Sequence, residues 1–131
     1  MKKEELGIYI HIPFCKKKCY YCDFISYCNK SEFVDDYIKC LKNEIINFAQ
    51  RHKDIYDITT IYIGGGTPSS IEEKHIKDII DTIDENLVKI KDIKEITIEV
   101  NPGTITKQKL EQYKSSGINR ISIGLQSTNN K

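Results

Sequence analysis

The stretch Thr59-Thr60-Ile61-Tyr62-Ile63-Gly64-Gly65-Gly66 decides the fold class of this chain. Its β-branched and aromatic residues are typical of a strand, and the three glycines end that strand. A helix is predicted directly after Pro68-Ser69-Ser70, because the apolar residues that follow recur every three or four positions. These residues are Ile76, Ile79, Ile80, Ile83 and Leu87. The stretch is therefore the strand and the turn of a βα unit.

Further βα units are predicted before and after this stretch. Further strands are predicted at residues 7–12, 95–100 and 120–123, and a short third helix carries Leu110 and Tyr113. Helices are expected from Ser31 to about Arg51 and between Thr106 and Gly117, two residues typical of helix ends. The order β-α-β-α-β-α-β with short connections predicts an α/β fold, whose parallel strands are joined by right-handed crossovers.

Composition and charge exclude several classes of protein. The 131 residues suit one domain, and 20 Lys and Arg against 19 Asp and Glu leave a formal charge of +1. This charge offers no electrostatic basis for binding nucleic acid. No apolar run approaches the roughly 18 residues of a membrane span, and the charged first residues are unlike a secretory signal. With an odd number of cysteines, five, we expect a cytoplasmic protein whose thiols stay reduced.

Three cysteines crowd the loop Cys15-Lys16-Lys17-Lys18-Cys19-Tyr20-Tyr21-Cys22, directly after the first strand. Thiolates hold iron–sulfur clusters, usually four to a cubane, so three would leave one iron able to bind a substrate. A zinc site with Cys28 or His11 as the fourth ligand is the structural alternative, and the last four residues of the loop alone match a redox C-x-x-C motif. Cys28, in a polar loop, and Cys40, in a helix, are expected to be structural or incidental.

Four unusual segments fall at the carboxyl ends of the predicted strands, where parallel sheets place their active sites. Besides the cysteine loop they are Gly64-Gly65-Gly66-Thr67, Glu99-Val100-Asn101-Pro102 and Gln126. The glycine turn can approach a ligand closely and present N–H groups to a carboxylate or phosphate. Glu99 can accept a hydrogen bond from an ammonium group or a ribose hydroxyl. The alternatives are an ordinary tight turn and a plain strand-end acid. His11, inside the apolar first strand, is expected to be a core residue.

Together these segments resemble the coproporphyrinogen III oxidase-like family of radical S-adenosylmethionine proteins. The resemblance rests on motifs that follow the family's order over nearly the whole chain. They are Tyr9-Ile10-His11-Ile12-Pro13-Phe14-Cys15, Cys19-Tyr20-Tyr21-Cys22-Asp23-Phe24, Tyr62-Ile63-Gly64-Gly65-Gly66-Thr67-Pro68-Ser69, Glu99-Val100-Asn101-Pro102-Gly103 and the segment from Ser116 to Ser127. The oxidase branch carries a further cysteine two residues after the third, and here that position is Phe24. This C-x-F form is similar to the branch regarded as haem chaperones, and a porphyrinogen oxidase is the alternative.

The resemblance implies a partial barrel of the radical S-adenosylmethionine type and a set of ligands. Cys15, Cys19 and Cys22 would hold a [4Fe-4S] cluster, whose fourth iron would be chelated by the amino and carboxylate groups of S-adenosylmethionine. An electron from a donor such as flavodoxin or ferredoxin would lead to cleavage of the sulfonium and a 5′-deoxyadenosyl radical. Haem or a porphyrin would be the further ligand. The residues that match the family's S-adenosylmethionine contacts are Tyr9, Gly65, Gly66, Thr67, Glu99 and Gln126.

Members of this family continue beyond the fourth strand with further βα units and a C-terminal domain. We therefore expect residues 1–131 to be the N-terminal part of a radical S-adenosylmethionine core, cut after about four strands. Such a piece is expected to be marginally stable or self-associating by itself, because its fourth strand is an unpaired edge. It is also expected to be inactive, since an incompletely enclosed site admits water.

Overall fold

The computed structural model describes residues 3–15, 27–28 and 31–123. In chain order the elements are β1 (Glu4–Ile12), β2 (Phe14–Cys15), β3 (Tyr27–Cys28), α1 (Ser31–His52), β4 (Tyr56–Gly65), α2 (Glu73–Asn86), β5 (Glu95–Val100), α3 (Lys107–Ser116) and β6 (Arg120–Ile123). Four of the strands form one sheet in the order β1-β4-β5-β6, and every pair in it is parallel. The predicted βα alternation and the α/β fold class are therefore confirmed.

The short strands β2 and β3 form a separate parallel pair that the sequence did not predict. Each is two residues long, and a run of that length shows no period from which a strand could be recognised. The pair has one consequence for the prediction. Cys28 lies in β3 rather than in a plain loop, and its backbone is in register with Cys15.

One face of the sheet forms the hydrophobic core with the helices. Ile10, Ile63 and Ile98 are register partners on neighbouring strands, and each is at most 2% exposed. Side chains of all three helices join the same cluster. Helices that connect adjacent parallel strands by right-handed crossovers all lie on one face of the sheet. The members from the helices are Val34, Ile38, Ile45, Ile76, Ile79, Ile80, Ile83 and Tyr113.

The third helix has the predicted ends but a different buried face. Thr106 accepts a hydrogen bond from the Lys109 backbone N–H at 3.1 Å, and Gly117 ends the helix in the left-handed region with φ of 111°. Tyr113 is buried at 1% exposure, whereas Leu110 is 42% exposed. The helix therefore contributes Tyr113 alone to the core, out of the two residues that the sequence suggested. A helix this short presents only a narrow stripe to the sheet.

The opposite face of the sheet is polar and carries no helix of the described part of the chain. Because side chains alternate along a strand, Tyr9, Tyr62 and Glu99 point away from the isoleucines beside them. Tyr9 is 57% exposed.

Among residues 3–15, 27–28 and 31–123, none of the helices has both the length and the apolar character that a membrane span requires.

Candidate functional site

A cavity of about 210 Å³ lies where β4 and β5 end. Its walls are the turn after β4 and the end of β5, with one hydroxyl from β6. The lining residues are Gly65, Gly66, Thr67, Pro68, Glu99, Val100, Asn101 and Ser122. Four of the six residues predicted to contact S-adenosylmethionine, Gly65, Gly66, Thr67 and Glu99, are thus brought together at the expected edge of the sheet.

The carboxylate of Glu99 is held by two hydrogen bonds. The Gly65 backbone N–H donates to Oε1 at 3.2 Å, and the Tyr62 hydroxyl donates to Oε2 at 2.7 Å. The hydrogen bond to Glu99 is the largest cause that raises the pKa of Tyr62 above its ordinary value. The phenol therefore keeps its proton at neutral pH and remains a donor. A carboxylate has about four acceptor sites, so two donors leave Glu99 able to accept from a ligand.

The N–H groups of the glycine turn are engaged within the protein. Gly66 donates to the carbonyl of Ile12 at 2.9 Å, and Thr67 donates to the carbonyl of Phe14 at 2.7 Å. The carboxylate that the Gly65 N–H meets is the protein's own Glu99, and Gly66 and Thr67 donate to backbone carbonyls rather than to an anion. These groups instead tie the turn to the segment that leads into the cysteine loop.

Glycine is required in this turn because the backbone of Ile12 and Phe14 lies so close to it. A Cβ on Gly66 would sit 2.7 Å from the carbonyl oxygen of Phe14, and a Cβ on Gly65 would sit 2.8 Å from that of Ile12. Gly65 also has a φ of 123°, in the left-handed region that favours glycine. Close approach, one of the two roles predicted for the glycines, is therefore made to the protein's own backbone.

A buried hydroxyl joins the turn after β4 to the loop after β5. Ser69, fully buried, accepts a hydrogen bond from the Asn101 backbone N–H at 3.0 Å and shares one of 2.5 Å with the Thr104 hydroxyl. The Lys109 ammonium donates to the carbonyls of Ser69 and Thr104 at 2.5 and 3.2 Å. This connection was not predicted from the sequence, because the partners lie about 35 positions apart and no local pattern relates them.

The end of β1 adds the exposed ring of Tyr9, which lies beside the partly buried Tyr62 of β4. The rings of Tyr9 and Tyr62 stack with centroids 6.0 Å apart and planes 19° apart, and the Tyr9 hydroxyl lies 3.3 Å from Nδ1 of His11. His11 is exposed, so its prediction as a core residue is wrong. Its strand alternates between the two faces, and His11 shares the polar face with Tyr9. Tyr62 was not among the predicted site residues, although the same alternation places it on that face.

Of the remaining predicted site residues, the structure describes Cys15 alone. Cys15 is in β2 at the carboxyl end of the first strand, as expected, while Cys19, Cys22 and Gln126 lie outside the described residues. Cys40 is exposed on α1. Within residues 3–15, 27–28 and 31–123, no group of three or more His, Cys, Asp or Glu side chains is arranged to hold a metal ion.

A family model described as the radical SAM superfamily, in which SAM is S-adenosylmethionine, matches residues 9–131. The chain belongs to this superfamily. Membership implies S-adenosylmethionine and a [4Fe-4S] cluster as cofactors in general terms, and it agrees with the loop of three cysteines. The resemblance seen in the sequence is thereby confirmed.

The similar proteins include both branches considered from the sequence. The heme chaperone HemW of Bacillus subtilis is 42% identical over 118 residues, covering 90% of this chain and 31% of that protein. HemW of Escherichia coli is 42% identical over 131 residues, covering 97% and 33%. The solved structure of coproporphyrinogen III oxidase HemN from Escherichia coli, a radical SAM enzyme, matches with a TM-score of 0.82 and 32% identity, over 97% of this chain and 29% of that chain. The chain thus spans about a third of the length of its relatives.

Proposed function

We propose that this chain is part of a radical SAM protein that binds haem and delivers it to haemoproteins. The observation that carries the proposal is the similarity to heme chaperones, at 42% identity over nearly the whole chain. Phe24 supports it, because the oxidase branch resembled by the sequence has a cysteine at this position. The cytoplasm, where thiols remain reduced, is the compartment that suits such a protein.

The 131 residues would form the first βα units of a longer radical SAM core. The match to about a third of each relative supports this assignment. In a parallel α/β fold the ligand site is assembled from several strand ends. The units described here would therefore supply one part of the site, and further strands would supply the rest.

Cys15, Cys19 and Cys22 would hold the cluster. When bound, the cluster and S-adenosylmethionine supply electron transfer and radical chemistry, with the electron coming from a donor such as flavodoxin or ferredoxin. The chain's own part is to place the cysteine loop. Hydrogen bonds from Gly66 and Thr67 to the carbonyls of Ile12 and Phe14 fasten the start of this loop to the cavity wall.

Tyr9, Gly65, Gly66, Thr67, Glu99 and Gln126 would contact S-adenosylmethionine. The described part of the cavity suits the donor groups of such a ligand, because it offers the Glu99 carboxylate and the hydroxyls of Thr67 and Ser122 while its backbone N–H groups are already paired. An ammonium group and ribose hydroxyls need acceptors of this kind. The exposed ring of Tyr9 lies beside Tyr62 at the same edge.

The first test concerns the metal. Anaerobic reconstitution of the full-length protein with iron and sulfide should give about four irons and four sulfides per chain. Cys19→Ala should abolish this content, whereas the exposed Cys40→Ala is the matched control and should retain it. Cys28→Ala should retain it as well. Colourless protein with one zinc ion, or loss of metal in Cys28→Ala, would favour the zinc site in which Cys28 is the fourth ligand.

The second test separates the chaperone from the oxidase, which the likeness to HemN also supports. The reconstituted protein should bind haem, measured by its absorption spectrum, and should leave coproporphyrinogen III unchanged when supplied with S-adenosylmethionine and a reductant. Formation of protoporphyrinogen IX would overturn the chaperone proposal. The cofactor assignment would survive that outcome.

A further inference from the structure

Tyr62 lies at the centre of the polar face of the sheet, between two residues expected to bind S-adenosylmethionine. It is on β4, in register with Tyr9 on β1 and with Thr97 on β5. Its side chain is partly buried. The family resemblance assigned no role to it, so its function must be read from its contacts.

The two ends of the Tyr62 side chain have different partners. The ring stacks on that of Tyr9, with centroids 6.0 Å apart and planes 19° apart. The hydroxyl, at the other end, donates to Oε2 of Glu99 at 2.7 Å. The stack limits the positions that the ring can take, and the hydrogen bond to Glu99 directs its hydroxyl. A donor that is already fixed loses little conformational entropy when it forms a hydrogen bond.

The orientation of the Glu99 carboxylate follows from having one donor on each oxygen. Gly65 N–H fixes Oε1 from the turn, and Tyr62 fixes Oε2 from the neighbouring strand. Terminal carboxylate torsions are otherwise broad, so a single donor would leave the group free to rotate. With both oxygens held, the remaining acceptor sites of Glu99 keep one direction at the wall of the cavity that Glu99 lines.

We propose that Tyr62 is a positioning residue, which orients the Glu99 carboxylate to accept hydrogen bonds from S-adenosylmethionine. The inference rests on the proposed role of Glu99 as a cofactor contact. Tyr62 acts through Glu99 and need not touch the ligand. Tyr9 contacts Tyr62 by ring stacking, and Tyr62 in turn contacts Glu99 by a hydrogen bond.

Tyr62→Phe retains the ring that stacks on Tyr9 and removes the hydroxyl, and with it the hydrogen bonds to Glu99 and Ser122. The measurement is the Kd for S-adenosylmethionine by equilibrium dialysis, with the full-length protein reconstituted anaerobically. We expect Tyr62→Phe to raise the Kd about tenfold, equivalent to about 1.4 kcal/mol, with iron content and melting temperature close to those of the wild type. Titration of the electron paramagnetic resonance spectrum of the reduced cluster gives an independent reading of the same Kd.

Tyr56→Phe is the matched control. Tyr56 is the first residue of the same strand, at the opposite end of the sheet, and its ring stacks on Phe48. Losing that hydroxyl should leave the Kd unchanged. A general loosening of β4 by removal of a tyrosine hydroxyl would instead change the Kd in both variants, and this result would overturn a specific role for Tyr62.

A double-mutant cycle tests whether Tyr62 acts through Glu99. Glu99→Gln should weaken binding more than Tyr62→Phe, and the double variant should bind no worse than Glu99→Gln alone. Additive effects would overturn the inference, as would an unchanged Kd in Tyr62→Phe. A wild-type protein that holds its cluster but does not bind S-adenosylmethionine would reject the proposed cofactor site itself, and with it the inference. The two failures are therefore distinguishable.

Discussion

The two faces of the four-stranded sheet differ sharply, although the same strands form both. On one face Ile10, Ile63 and Ile98 are closed under the helices. On the other, Tyr9 is exposed and Glu99 holds its hydrogen bonds to Tyr62 and Gly65 at the wall of a cavity. Consecutive residues of one strand thus line the core and the polar face separately, because their side chains point to opposite faces.

The largest effect is expected from the apolar face. Ile98→Ala, at a residue with 0% exposure, should lower the free energy of unfolding by about 2–5 kcal/mol, since the cavity it leaves lies among closely packed side chains. Urea unfolding followed by circular dichroism measures this loss. Ile121→Ala is the control, because Ile121 is the register partner of Ile98 but is 38% exposed. Equal losses in the two variants would contradict the expectation that burial under the helices sets the size of the loss.

A smaller effect, on both stability and the affinity for S-adenosylmethionine, is expected from a substitution at Ser69. Ser69→Ala removes the fully buried hydroxyl that accepts a hydrogen bond from the partly buried Asn101 N–H, which should cost about 1–3 kcal/mol of stability. Because Ser69 joins the turns on the two sides of the cavity, the variant should also bind S-adenosylmethionine more weakly. Ser115→Ala, which removes an exposed hydroxyl hydrogen bonded to the Gln112 carbonyl, should change neither quantity. An unchanged affinity in Ser69→Ala would show that Ser69 contributes to stability alone.

The smallest effect is a pH dependence of stability, and it is expected at His75 on helix α2. Burial lowers the pKa of His75 below its ordinary value of 6.5, although the carboxylate of Asp35, 3.5 Å away, opposes the shift. The unfolded chain therefore binds a proton at His75 more readily than the folded chain does. The stability that neutral His75 contributes is fully present above about pH 6.5, and it is lost as the pH falls through the lower pKa of the folded state. His75→Gln should flatten the rise of the melting temperature between pH 5 and pH 7. A slope equal to that of the wild type would assign the pH dependence to other groups.

The order of elements was predictable because the signals for it are local. The isoleucines of α2 recur at helical spacing, and Gly117 adopts the left-handed conformation expected at a helix end. β5 begins and ends at Glu95 and Val100, as predicted. These features depend on residues within one turn or one strand, so a single sequence contains the information for them.

The prediction for His11 was wrong, because His11 is exposed rather than in the core. The alternation of β1, which places His11 on the polar face with Tyr9, is the signal that could have corrected it. The partners of the N–H groups in the glycine turn, Ile12, Phe14 and Glu99, were not predictable in the same way. Other strands supply these partners, and no local pattern identifies them.

The α/β alternation, the edge of the sheet where the unusual segments lie and the superfamily all follow from the amino-acid sequence alone. Hydrophobic periodicity, glycine position and cysteine spacing are all properties of short stretches of chain. The hydrogen bonds that hold the site follow from the folded arrangement of the strands: Tyr62 and Gly65 donate to Glu99, and Ser69 connects two loops. Hydrogen bonds depend on distance and direction, and those between residues more than 30 positions apart exist only once the strands have paired.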